Sequence, residues 1–383
     1  MYKIFISAMA FDGGKSGISA YIVAVIRVLS RRHHLEVAAL ADEVPLLPSS
    51  PNIRYLPVSR RWRHPLINLL WHLLLLPWRL NRKKYDFALL PAANRRALLF
   101  YRNFTIAVVH DLSQYHIPAR YDLFRLLYSM RILPWCVRRA DRVVAVSEST
   151  AADLRSCWNV PAAKISVIYN GYDHDRFRPA AAADENSPTT LPADLPAHYL
   201  LCVSRIEHPG KNHLNLLKAY ELLPEELRRE YVLVLAGRKG SGAATVSDYA
   251  ENSPARESIR FIGYIPDEQL PELYRRASLY IFPSLFEGFG LSLPEAMASG
   301  IPTICSNTSS LAEVGGEAVL TFPPECPERM AAAMIRALTE PELRRQMIAR
   351  GLERVKIFDW DRHVEALVKL YENRQATEKA GIA

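Results

Sequence analysis

At 383 residues the chain is longer than one hydrophobic core usually serves, so two domains of about 150 to 200 residues each are expected. Hydrophobic residues make up 49% and charged residues 23%, near globular averages, which excludes a disordered, fibrous or polytopic membrane chain. The net charge of +8 is uneven: residues 1–195 carry 26 Lys and Arg against 15 Asp and Glu, and residues 196–383 carry 22 against 25, so the basic half calls for an anionic membrane surface, nucleic acid or phosphorylated substrate.

The five cysteines, Cys136, Cys157, Cys202, Cys305 and Cys326, are widely spaced and form no C-x-x-C pair. Neither a disulfide framework nor a zinc site is expected, and a reducing cytoplasm fits best. Met1 to Ser7 reads as a buried opening strand, without the long apolar region and small-residue cleavage site of a signal peptide. The longest apolar stretch, Leu66 to Trp78, is broken by Asn68, His72 and Pro77 and falls short of the roughly 18 to 20 residues of a spanning helix.

In the first half, strands are expected at Lys3–Ser7, Val37–Leu40, Phe87–Leu90, Thr105–His110 and Arg142–Ser147, with helical patterns between them. That alternation predicts a doubly wound α/β domain with a parallel sheet. Asp12-Gly13-Gly14-Lys15-Ser16-Gly17-Ile18-Ser19 follows the opening strand and precedes a helix, so its glycines can line a ligand cleft. The spacing is not G-x-G-x-x-G and no acidic residue ends the second strand at the right place, which argues against a dinucleotide dehydrogenase.

From Arg60 to Lys84 the chain runs through Arg-Arg-Trp-Arg-His, a Leu- and Trp-rich helix, then Arg79, Arg82, Lys83 and Lys84, with no acid between Glu43 and Asp86. Such a segment suits an anionic bilayer surface, with Trp62, Trp71 and Trp78 at headgroup level. It equally fits a core helix whose ends carry solvated charges. A second basic and aromatic stretch, Arg120 to Arg142, adds support for docking. Glu148 either reaches the cleft or caps the following helix.

Residues 180–196, rich in Ala, Pro, Asp, Ser and Thr, read as a linker between a domain at 1–179 and a second at 197–357. In the second half the α/β pattern restarts, with strands at Tyr199–Ser204, Tyr231–Ala236, Arg260–Ile262, Leu279–Pro283 and Pro302–Cys305. Residues 358–377 form an amphipathic helix, with Trp360, Val364, Leu367, Leu370 and Tyr371 on its apolar side, expected to pack back on the first domain. Two Asp-x-Asp triplets, Asp173-His174-Asp175 and Asp359-Trp360-Asp361, sit in a turn and at a helix start, so no metal is implied.

The segment Phe282-Pro283-Ser284-Leu285-Phe286-Glu287-Gly288-Phe289-Gly290-Leu291-Ser292-Leu293-Pro294-Glu295 reads as a strand, a Gly-rich turn and a helix. Gly288 and Gly290 allow close backbone approach, and a helix starting near Leu291 turns its positive end to the same place, which suits a diphosphate. Glu295, one turn into the helix, can accept both hydroxyls of a ribose, and Glu287 can hold sugar hydroxyls.

This passage resembles the GT-B glycosyltransferases of family 4, in which two glutamates eight positions apart flank a Gly-Phe-Gly turn. Further matches run through nearly the whole chain. Val203-Ser204-Arg205-Ile206 with Gly210-Lys211-Asn212 is similar to the family's Arg and Lys pair, and Phe261-Ile262-Gly263-Tyr264-Ile265 to its base-binding turn. Val109-His110-Asp111 resembles the His-Asp beside the transferred sugar. Gly237-Arg238-Lys239-Gly240 and Glu313-Val314-Gly315-Gly316-Glu317-Ala318 are similar to a subgroup of mannosyltransferases that build bacterial O-antigen chains.

The resemblance implies a GT-B fold of two Rossmann-like domains and a retaining transferase that uses a nucleotide sugar and no cofactor. It implies that Arg205 and Lys211 neutralise the donor pyrophosphate and that the backbone at Tyr264 and Ile265 meets the nucleobase. Glu287, Phe289 and Gly290 hold the sugar, with Glu287 also a catalytic group, Glu295 holds the ribose, and Leu291 belongs to the donor site. His110 faces the reacting centre; Gly17 lies toward the donor, and Asp12, Gly13, Gly14 and Asp111 toward the acceptor. By the subgroup, the donor is GDP-mannose or a related GDP-sugar and the acceptor a lipid-linked glycan at the inner membrane. A UDP-sugar donor and a non-catalytic basic protein that binds membrane or nucleic acid remain the alternatives, although no nucleic-acid module is recognisable and none is expected as a partner.

Overall fold

A computed structural model describes residues 1–80, 82–100, 102–118, 123–180, 191–192 and 195–379. The chain divides into two compact units, Met1–Gly171 with Phe358–Ala383, and Tyr172–Ile357. The first break thus falls at 171/172, earlier than the expected 179. Residues 172–179 belong to the second unit because Phe177 stands edge-on to Tyr274, with centroids 5.9 Å apart, and Pro179 packs against Gly300. Most of the expected linker, 181–190, 193 and 194, lies outside the described residues.

Among the described residues the first unit has a seven-stranded sheet in the order β3-β2-β1-β4-β5-β6-β7. The strands are β1 (Lys3–Ser7), β2 (His34–Leu40), β3 (Ile53–Val58), β4 (Phe87–Leu90), β5 (Thr105–Val109), β6 (Arg142–Ala145) and β7 (Ile165–Val167). All neighbours run parallel, with Ile6 opposite Val37 and Leu89. Full burial of Ile4, Phe87, Ile106 and Val108 explains the continuous apolar runs, since helices cover both faces of a parallel sheet. The edge strands β3 and β7 were not expected: β3 is only half buried and contains Arg54 and Pro57, and β7 has three residues.

Helix Gly17–Leu29 buries Tyr21, Ile22, Val25, Ile26 and Leu29, a stripe at helical spacing, and is capped by Ser16. The C-terminal helix Trp360–Lys379 packs on it within this unit, burying His363, Val364, Leu367, Val368 and Tyr371. Tyr21 Oη lies 2.8 Å from His363 Nε2, and Arg31 pairs with Asp361 at 2.8 Å. The segment 358–379 is therefore part of the first core although it follows the second unit in sequence. At the crossing, a Cβ on Gly171 would lie 2.4 Å from the Trp360 backbone nitrogen, so only glycine fits there.

Residues 60–80 are both core and surface. After the 3-10 turn Arg60–Arg63, helix Pro65–Leu70 continues through a π-turn at Trp71–Leu75 into Leu76–Leu80. Leu69, Trp71, Leu76 and Leu80 enter the core, whereas Ile67, Leu70, Leu74, Leu75 and Trp78 stay exposed. His72 is fully buried, with Nε2 2.8 Å from Ser7 Oγ, which ties the helix to the end of β1. Farther on, Leu123, Leu127 and Trp135 are also exposed. No helix among the described residues is long and apolar enough to cross a membrane.

The second unit, again among the described residues, has a six-stranded sheet in the order β10-β9-β8-β11-β12-β13. Its strands are β8 (Tyr199–Val203), β9 (Val232–Ala236), β10 (Ile259–Gly263), β11 (Leu279–Phe282), β12 (Thr303–Ser306) and β13 (Leu320–Phe322), all parallel. Strand β13, three residues at an edge, was not expected. Both sheets reverse strand order at one point, between β1 and β4 and between β8 and β11. In such sheets ligands bind outside the carboxyl ends of the strands at that reversal.

Candidate active site

In the second unit, the loops leaving β8 and β11 meet at the reversal. The β8 loop is held by Ile206 N–H donating to the Arg238 carbonyl at 3.0 Å and Gly240 N–H to the Ile206 carbonyl at 2.8 Å. Asn212, left-handed at φ 59°, donates from Nδ2 to the carbonyls of Pro283 at 3.0 Å and Pro324 at 2.6 Å. His213 donates from Nδ1 to the Glu207 carbonyl at 3.2 Å and accepts from the Ser204 hydroxyl at 3.1 Å; burial pushes its pKa down to about 4, so it is a neutral strut.

The β11 loop is pinned from both sides. Leu285 N–H donates to the Gly210 carbonyl at 3.0 Å. Glu287 N–H donates to Ser309 Oγ at 2.9 Å, Ser310 Oγ to the Glu287 carbonyl at 2.9 Å, and Thr308 Oγ1 to the Leu285 carbonyl at 3.0 Å. Gly290 has φ +82°, and a Cβ there would lie 2.8 Å from Leu311 Cδ2 and 2.9 Å from Phe282 Cε1. Both the conformation and the packing require glycine.

These loops place opposite charges together. Lys211 Nζ lies 2.5 Å from Glu287 Oε1, with both side chains largely buried. The guanidinium of Arg205, about half exposed, lies 3.2 Å from the buried carboxylate of Glu207. Glu295 lies in helix Ser292–Ala298, which begins after Leu291. Tyr274 Oη donates to Glu295 Oε2 at 3.4 Å. Burial pushes the Glu295 carboxyl up to about 8; Arg176 and Tyr274 oppose the rise, and Asp267 and Asp173 add to it. Phe289 is buried beside this turn. At the end of β10, Gly263 accepts from Gly237 N–H at 2.7 Å, Ile265 is buried, and the half-exposed Tyr264 ring carries the Arg238 guanidinium 4.0 Å from its centre.

Of the residues expected in this unit, Arg205, Lys211, Glu287, Phe289, Gly290 and Leu291 lie on the two loops at the reversal, Glu295 in the helix that follows the β11 loop, and Tyr264 and Ile265 after β10. Arg176, Tyr274, Ser309 and Ser310 were missed. The Thr308-Ser309-Ser310 run at the start of helix Ser309–Gly315 carried a signal, since such residues collect at helix starts.

In the first unit, His110 follows β5. Its Nε2–H donates to the Pro91 carbonyl at 2.7 Å, and burial pushes its pKa down to about 4, which leaves Nδ1 as the acceptor nitrogen. The Tyr21 ring stands edge-on to His110 at 4.7 Å and to His363 at 5.2 Å. Asp12 Oδ1 accepts from Lys15 N–H at 2.9 Å and Ser19 Oγ at 2.6 Å, fixing the loop in which Gly13 and Gly14 have φ +75° and +84° and Gly17 opens the helix. Asp111 Oδ1 accepts from Ser113 Oγ at 2.9 Å. Both aspartates thus hold their own loops. The cap of helix Glu148–Ser156 is Ser147, with Glu148 exposed in its first turn. Asp359 Oδ1 accepts from Arg362 N–H at 2.8 Å at the start of the last helix. No group of three or more His, Cys, Asp or Glu side chains among the described residues is placed to hold a metal ion.

The family profile described as Glycosyltransferase Family 4 matches residues 15–176, and that described as Glycosyl transferases group 1 matches residues 184–354. The O-antigen chain mannosyltransferase B of Escherichia coli is 32% identical over 268 residues, 70% of this chain and 70% of that protein. The serotype-specific mannosyltransferase WbdA of Escherichia coli is 31% identical over 261 residues, 67% of this chain but 32% of its own length. Among solved structures, sucrose-phosphate synthase from Thermosynechococcus elongatus superposes over 98% of this chain and 100% of its own with a TM-score of 0.75 at 21% identity. WaaG, a glycosyltransferase involved in lipopolysaccharide biosynthesis, superposes over 96% and 99% with a TM-score of 0.69 at 14% identity. The two parallel sheets and these likenesses give the GT-B fold, and the matched halves together with the 32% identical relative place the chain in the group 1, or family 4, glycosyltransferases.

Proposed function

We propose that this glycosyltransferase moves a mannose or related hexose from a GDP-sugar to a lipid-linked glycan, with retention of anomeric configuration, in the assembly of a bacterial O-antigen or other cell-surface polysaccharide. The observation that carries the reading is the pairing of Lys211 on the β8 loop with Glu287 on the β11 loop, at the carboxyl ends of adjacent strands, with Arg205 on the same β8 loop paired to Glu207. The donor's bond from anomeric carbon to diphosphate breaks, the acceptor oxygen bonds to that carbon on the same face, and the acceptor proton leaves with the diphosphate. Negative charge grows on the diphosphate as it departs. Arg205 offers a planar two-pronged donor and Lys211 a point charge to absorb it.

Glu287, with Phe289 and Gly290, holds the sugar hydroxyls, and Glu295 the ribose diol beside Leu291. Backbone groups at Tyr264 and Ile265 meet the base. His110 presents its neutral Nδ1 to a sugar or acceptor hydroxyl, with the Gly13-Gly14 loop, Gly17 and Asp111 around the same end of the first sheet. No metal or cofactor enters these steps. The mannose and lipid assignments draw support from the likeness to the O-antigen mannosyltransferases. The exposed Leu70, Leu74 and Trp78 in a basic segment support a peripheral position on the cytoplasmic face of the membrane, with no nucleic-acid partner.

The test is transfer of labelled mannose from GDP-mannose to lipid-linked glycans, with the product anomer read by NMR. An α-linked product from the α-linked donor supports the reading. Turnover with UDP-sugars and none with GDP-sugars replaces the donor, and an inverted product removes the mechanism.

A further inference from the structure

The first unit has a groove that the transfer chemistry does not use. Between the sheet at β1–β3 and the turns running from Trp62 to Leu80 lie two cavities of about 340 and 400 Å³ that share Val58, Trp71 and Trp78 in their walls. Each is within the ordinary ligand-pocket range of about 300 to 1,000 Å³. Trp62 and Leu75 line the first, and Phe5 and Leu56 the second, so the walls are indole and hydrocarbon. Trp78 stands 52% exposed at the junction.

The rim is cationic. The Arg82 guanidinium carbon lies over the Trp78 ring, 3.4 Å from its centre, and Arg82 makes no ion pair with a described residue. Lys83 beside it is held by Glu36 at 2.9 Å, and Glu36 also accepts from Tyr85 at 2.5 Å. Glu36 is therefore already paired, and Arg82 and Lys83 in the wall of the second cavity make its lining charge positive. A second copy of this chain would bring another basic rim against this one, so charge disfavours self-pairing. The complementary occupant has a long hydrocarbon chain and an anionic head.

We propose that this groove binds the chain of a prenyl or acyl phosphate lipid, with the phosphate at Arg82. The proposal rests on the reading of a lipid-linked acceptor and deepens it: the acceptor's anchor has its own seat on the first unit. It differs from contact with a bilayer surface because one lipid molecule in water is enough to fill it.

The experiment titrates farnesyl phosphate, below its aggregation concentration, into the full chain and follows tryptophan emission and calorimetric heat. Saturable one-to-one binding is expected, with farnesol about tenfold weaker, as loss of a charge-assisted contact predicts. Arg82→Ala should weaken farnesyl phosphate by a similar factor, and Trp78→Asp should abolish binding while Trp78→Phe retains it. Thermal melts of each variant separate lost binding from lost fold. Absence of saturable binding by monomeric farnesyl phosphate overturns the proposal, as does binding seen only with anionic vesicles. Equal affinity for farnesol and the phosphate, or dimerisation that buries Trp78, also overturns it. Mannosyl transfer to a lipid-linked glycan is assayed in parallel: transfer without lipid binding removes the groove alone, and lipid binding without transfer removes the acceptor reading and leaves the groove.

Discussion

Ionisation of Glu295 should make donor affinity depend on pH. In the ligand-free protein burial pushes this carboxyl up to about 8, so at pH 7 it is mainly protonated. A carboxylate that accepts both hydroxyls of a ribose must lose that proton, which costs about 1.4 kcal/mol at pH 7 and about twice that at pH 6. Affinity for a nucleotide sugar should therefore rise about tenfold from pH 6 to 7, more slowly from 7 to 8, and level off near pH 9. A nucleotide sugar is the right probe, because the terminal phosphate of a free nucleoside diphosphate titrates near pH 6 itself. Calorimetry at pH 7 in buffers of different ionisation enthalpy should detect release of close to one proton on binding, and none for Glu295→Gln. The sign for stability is opposite: with the folded pKa raised, the stabilisation present below about 4.5 is lost as pH rises through 8, so the second unit should melt lower at pH 9 than at pH 6, and ligand should narrow the gap. Affinity that stays flat or falls with pH in the wild type would refute the reasoning.

Glu287→Gln should release Lys211 from its 2.5 Å pair and tighten nucleoside diphosphate binding up to about tenfold by calorimetry, while turnover falls about 100-fold for want of the sugar contact. Gly290→Ala combines a left-handed backbone with contacts below 3 Å and should cost about 2 to 4 kcal/mol in denaturant melts, whereas Gly263→Ala, left-handed but in open space, should cost about 1 kcal/mol. Tyr21→Phe leaves the buried His363 Nε2 without its 2.8 Å donor and should cost the first unit about 1 to 3 kcal/mol, read by urea unfolding.

Buried parallel strands such as Phe87–Leu90 and Leu279–Phe282 were legible because both faces are covered and their apolar runs are uninterrupted. Edge strands were not. Ile53–Val58 interleaves polar residues and a proline, and Leu320–Phe322 is too short to show a period. Gly290 and the Glu287–Glu295 spacing were readable because a turn and a helix start fix those residues locally. Arg176 and Tyr274 act on Glu295 from positions 119 and 21 residues away along the chain, so only the folded sheet brings them to it. The same holds for the first break: Phe177 reads as the end of the first domain by position, and its ring contact with Tyr274 goes with its place in the second unit. Asp12 and Asp111 were read as acceptor-side residues, and Oδ1 of each holds its own loop through contacts of only two to seven residues in sequence.

The central claim is that the loops after β8 and β11 bind a nucleotide sugar, and thermal stabilisation across a panel of GDP-, UDP- and ADP-sugars tests it most directly. The account predicts that GDP-sugars stabilise the wild type and that Arg205→Ala and Glu295→Ala both lose the effect. Stabilisation that survives in both variants, or no response to any nucleotide sugar, would contradict it.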